Sequence, residues 1–106
     1  MVEKVRRLLL LWVLLALASP LLPAQSSKLA EQSNQARDLM AAGKFEQAIP
    51  IYRELVQAVP GNAGLVTNLG LAYHMAGHEQ QAVTELTHAL KLESHNVPAH
   101  LYLGYA

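Results

Sequence analysis

The sequence predicts an all-α fold, a helix-turn-helix repeat solenoid of about two and a third units preceded by a hydrophobic N-terminal segment. Three observations carry this reading. Residue types recur at a fixed separation of 34 positions, apolar residues follow helical spacing within each stretch, and Gly or Pro stands where helices should stop. The recurrence pairs Gly43 with Gly77, Ala48 with Ala82, Tyr52 with Leu86, Leu55 with Ala89 and Asn62 with Asn96. It runs on from Leu69-Gly70 to Leu103-Gly104. A helical unit of that size cannot bury its apolar face alone, so successive units must stack.

Taken in order, Met1 to Arg7 holds three cations, and Leu8 to Ala18 is an unbroken run of eleven apolar residues closed by Pro20 and Pro23. As a helix such a run rises only about 16 Å, short of the roughly 30 Å hydrocarbon core. This is the layout of a signal peptide, expected to span residues 1–24 and to be cleaved after Ala24, or else after Ala18. The alternative is a retained anchor, with the membrane reached through residues 5–24 only if the segment stays uncleaved. The expected location is accordingly outside the cytoplasm, periplasmic or extracellular.

Residues 25–28 read as a polar linker, with Ser26 or Ser27 capping a first helix from about Lys28 to Ala41, which Gly43 ends. The first repeat is placed at residues 29–62 and its second helix at about Phe45 to Val59, before Pro60-Gly61. Pro50, inside that helix, is expected to bend it or loosen its first turn. Asn62 caps a third helix that reaches Ala76, and Gly77 turns the chain into a fourth from about Glu79 to Leu92. Those two helices make the second repeat, residues 63–96. Asn96 caps the start of a third repeat, residues 97–106, where Pro98 is tolerated in the first turn. Small residues at Gly70 and Ala82 should let paired helices approach closely, with Leu69, Tyr73, Val83, Leu86 and Leu90 filling the layer between them.

The second repeat resembles the tetratricopeptide repeat family. Leu69, Gly70, Tyr73, Gly77, Ala82, Leu86 and Ala89 stand at that family's characteristic places, while Val66 and Ser94 depart from its usual aromatic and proline. In the first repeat the second helix matches well through Gly43, Ala48, Tyr52, Leu55 and Pro60. The first helix, with Gln32, Gln35, Ala36 and Leu39, matches poorly, as terminal repeats often do. The resemblance covers residues 29–106. It implies a concave groove lined by the first helix of each repeat, here Arg37, Met40, Thr67, Asn68, Leu71, His74, Met75 and Leu101. It also implies a non-catalytic module that binds a protein or peptide partner. Family members that grip a C-terminal carboxylate use polar and cationic residues at places held here by Ser33, Arg37, Asn68, Pro98 and Tyr102; only Asn68 agrees, so that mode is not expected.

Other function classes find little support. Without the N-terminal cations and Glu3, the chain has five basic against seven acidic residues, a balance of minus two, which is no footprint for nucleic acid. No cysteine is present, hence no disulfide and no thiolate chemistry. His74 and His78 have the spacing of two metal ligands on one helix, but Gly77 between them should put the rings on different segments, so no metal and no cofactor is expected. Nor does any nucleophile or phosphate-binding motif occur. The third repeat stops ten residues into its first helix. Residues 97–106 are therefore expected to fray or to self-associate through an open apolar face unless more sequence follows. The competing function is the N-terminal repeat part of a longer exported enzyme or envelope assembly factor.

Overall fold

The computed structural model describes residues 21–104. Five helices follow one another there: α1 (Leu21–Ala41), α2 (Phe45–Ala58), α3 (Ala63–Met75), α4 (Glu79–Leu92) and α5 (Val97–Leu103). No strand occurs among the described residues. The chain forms two compact units, one ending at Glu31 and one starting at Gln32, and the repeats lie in the second. Most of the expected signal segment, residues 1–20, lies outside the described residues, as do Tyr105 and Ala106. No described helix is long and apolar enough to cross a membrane.

The segment 25–28 is helical, which corrects the expectation of a linker capped at Ser26 or Ser27. Between Pro23 and Lys28 there is no Gly or Pro to stop a helix. Once a helix is nucleated, each added residue contributes a hydrogen bond, and that outweighs the weak preference of serine for a cap.

Both expected glycine turns form, by the same device. Gly43 and Gly77 adopt φ of +76° and +87°, a left-handed conformation that costs glycine little. After α1, the Lys44 amide donates to the Leu39 carbonyl at 2.8 Å and the Gly43 amide to Met40 at 3.1 Å. After α3, His78 donates to Tyr73 at 2.8 Å and Gly77 to His74 at 3.0 Å. These paired bonds satisfy carbonyls left open at the helix ends. Asn62 and Asn96 then cap the following first helices, their Oδ1 atoms accepting from the Leu65 and Ala99 amides at 3.1 Å each. Pro50 lies within α2, which stays helical around it, and is solvent-exposed.

Consecutive helices from α2 to α5 pack on one another. The core is Ala36, Ala48, Ile49, Tyr52, Leu55, Val66, Leu69, Ala72, Ala82, Leu86, Ala89 and Ala99. Close approach of α3 to α4 is explicit at Gly70. A Cβ there would lie 2.7 Å from Leu86 Cγ, 2.8 Å from its Cδ2 and 3.4 Å from its backbone nitrogen. Val83 does not fill this layer: it is 46% exposed. Ala82, Leu86 and Ala89 form the buried stripe at spacings of four and three, and Val83 falls one helical step, about 100°, to its side. Tyr73 and Leu90 are half-buried. Val66, short of the usual aromatic, is wholly buried.

Candidate interaction face

The predicted groove residues divide into three groups. Met75 and Leu101 are exposed, at 53% and 76%, and Leu71, Asn68 and Met40 are partly exposed, so apolar surface is available on α3 and α5. Arg37 is exposed on α1, its guanidinium donating to Asn34 Oδ1 at 2.5 Å. Arg37 also acts electrically on Tyr52. Burial pushes the Tyr52 phenol above its ordinary value, and the nearby guanidinium partly opposes that shift.

Thr67, expected in the groove, is nearly closed off from solvent and lines a cleft beside it. It is 5% exposed. Its hydroxyl donates to the Ala63 carbonyl at 2.7 Å and accepts from Asn96 Nδ2 at 2.5 Å. Asn96 therefore does more than cap α5: one side chain caps the first helix of the third repeat and ties it to the first helix of the second. The sequence marks Asn96 as a cap through its recurrence with Asn62, but nothing in the period announces the cross-link. Beside it a shallow cleft with a cavity volume of about 350 Å³ opens between the N-terminal parts of α3 and α5. Gly64, Asn68, Val97 and Pro98 are among its walls.

His74 is half-exposed but already engaged. Its Nδ1 donates to Glu79 Oε1 at 2.6 Å, since an ionised carboxylate can only accept. The hydroxyl of Tyr102 donates to the other carboxylate oxygen, and the His74 and Tyr102 rings meet edge to face with centroids 4.5 Å apart. Three helices, α3, α4 and α5, thus meet in one closed triangle. The hydrogen bond from Tyr102, then that from His74, holds the Glu79 carboxyl below the usual range, and the same bond raises the Tyr102 phenol. Neither Glu79 nor this role of Tyr102 was legible in the sequence, because partners 23 positions apart follow no helical or repeat spacing.

His78 turns elsewhere, donating from Nε2 to Glu46 Oε1 on α2 at 2.6 Å. The two histidines lie on either side of the Gly77 turn with different carboxylates as partners. Among the described residues no group of three His, Cys, Asp or Glu side chains is placed to hold a metal ion.

A family model described as tetratricopeptide repeat matches residues 39–91, half of the chain. The chain belongs to the tetratricopeptide repeat family. The match takes in the end of α1, all of α2 and α3, and nearly all of α4. Tetratricopeptide repeats generally mediate protein–protein interaction and bind protein partners, and the family is typically non-catalytic. On the first helices of the repeats, Arg37, Met75 and Leu101 are exposed and Met40, Asn68 and Leu71 partly exposed. Thr67 and His74 are instead held by the fold itself.

Proposed function

We propose that this chain is a protein-interaction module that receives an extended, largely apolar peptide segment along the face of α1, α3 and α5. The supporting observation is the exposure of Met75 and Leu101 beside the partly exposed Leu71, large apolar side chains standing outside the core on first helices. Arg37 contributes the single cation and favours a peptide with an acidic residue. Peptides selected from a displayed random library against the full chain, followed by fluorescence titration, test this reading. Leu71→Glu and Leu101→Glu should each weaken the selected peptides by about tenfold or more, about 1.4 kcal/mol. Arg37→Glu should weaken acidic peptides selectively and leave the thermal midpoint in place. Undiminished binding by both Leu71→Glu and Arg37→Glu would assign the contact to another face.

The module acts outside the cytoplasm on this reading, because a cationic stretch precedes a short apolar run closed by two prolines. Mass spectrometry of the protein expressed in a secreting host should show loss of the first 24 residues, or of the first 18. Intact Met1 in the membrane fraction would point to the retained anchor.

A further inference from the structure

We propose that the His74–Glu79–Tyr102 triangle is a pH-sensitive catch that holds α5 against α3 and α4, with Asn96 as the hinge about which α5 moves when the catch opens. The inference concerns the motion of α5 and does not depend on what the face binds. α5 has seven residues, far below the length at which a helix is stable alone in water. Its order therefore rests on its attachments. At its start, Ala99 is fully buried and Asn96 is bonded to Thr67. Near its end the attachment is Tyr102, which donates to Glu79 and lies edge-on to His74. Leu101, between them, is exposed.

The two attachments differ chemically. Asn96 and Thr67 do not titrate, and Ala99 is apolar. The catch needs Glu79 as a carboxylate with both oxygens accepting, one from each neighbour. Protonation removes the charge that both bonds accept into and turns one oxygen into a donor, so the charge-assisted bonds from His74 and Tyr102 cannot both persist. The titratable groups facing Glu79 are His74 from α3 and Tyr102 from α5; Glu46 of α2 is occupied by His78, and His100 of α5 donates to the Ser94 carbonyl at 2.7 Å. Because the folded Glu79 value is depressed, the catch contributes in full above the unfolded carboxyl range, about 4.3, and is lost as pH falls through the lower folded value. Tyr102 has the opposite sign: its contribution is complete below about 10 and disappears as pH rises through the raised folded value. Opening at either extreme frees the C-terminal end of α5, while its N-terminal residues Val97 and Pro98 stay beside Asn96 at the cleft.

Amide hydrogen-exchange protection factors, measured by NMR on the full chain between pH 7 and pH 3, test the catch. Protection at Tyr102, Leu103 and Gly104 should fall at least tenfold as the Glu79 carboxyl resonance reports protonation, while Leu69 to Tyr73 keeps its protection. Glu79→Gln and Tyr102→Phe should each show the open state already at pH 7 and no acid transition. Unchanged protection of α5 through Glu79 protonation would overturn the proposal. So would wild-type protection at pH 7 in both variants, or loss of α3 and α5 together in one transition.

Discussion

Replacing Gly70 with valine is expected to destabilise the repeats by about 3 kcal/mol, the upper part of the usual range for overpacking a core. A lowering of the thermal midpoint by roughly 15 °C follows for a domain of this size. The cause lies in what surrounds the missing side chain. Even a single Cβ would sit 2.7 Å from Leu86 Cγ, which is neither the far end of a long side chain nor free to turn into water, since Leu86 is fully buried. Valine adds two further methyl groups to that contact, and its branched side chain slightly disfavours the helix. Relief requires α3 and α4 to separate, which strips contacts from Leu69, Ala72 and Ala82 as well. Thermal unfolding followed by circular dichroism measures the loss.

Leu86→Ala should cost a similar amount, about 3 kcal/mol, for the opposite reason. Leu86 is among the largest fully buried side chains of the described residues. Its truncation leaves a void against α3 that a backbone already at close approach closes only in part. Urea denaturation should show a lower midpoint with nearly the same slope, since the surface exposed on unfolding changes little.

Much of this packing is readable in the chain. Gly43, Gly77, Asn62 and Asn96 recur at 34 because each repeat needs a left-handed turn and a cap at the same place, and backbone geometry enforces those residue types locally. Gly70 and Ala82 are readable for a related reason, as small residues where helix axes must approach. The less legible features depend on relations that no short spacing encodes. Val83 has the residue type of a core position, yet its angle around α4 turns it outward. The repeat pattern marks Thr67 as a groove position, but not the buried bond that it accepts from Asn96. Residues 25–28 look like a linker in composition, yet nothing there interrupts a helix. Of the expected face, Arg37, Met75 and Leu101 are exposed and Leu71 partly so, while His74 is bound to a carboxylate that only the folded chain brings to it.

The central claim is that the 34-residue period folds into paired helices whose distance is set by Gly70 against Leu86. A double-mutant cycle tests it most directly, using Gly70→Ala with and without Leu86→Ala and urea denaturation in a constant concentration of sucrose. Alanine gains about 1 kcal/mol over glycine from helix preference alone. In the native background the clash should exceed that gain and leave a net loss of about 1 to 2 kcal/mol. With Leu86 truncated the clash is gone, so Gly70→Ala should be neutral or stabilising, a coupling of about 2 kcal/mol between the two positions. An equal effect of Gly70→Ala in both backgrounds, within about 0.3 kcal/mol, would show that the two residues do not meet and that the helix pair is spaced by something else.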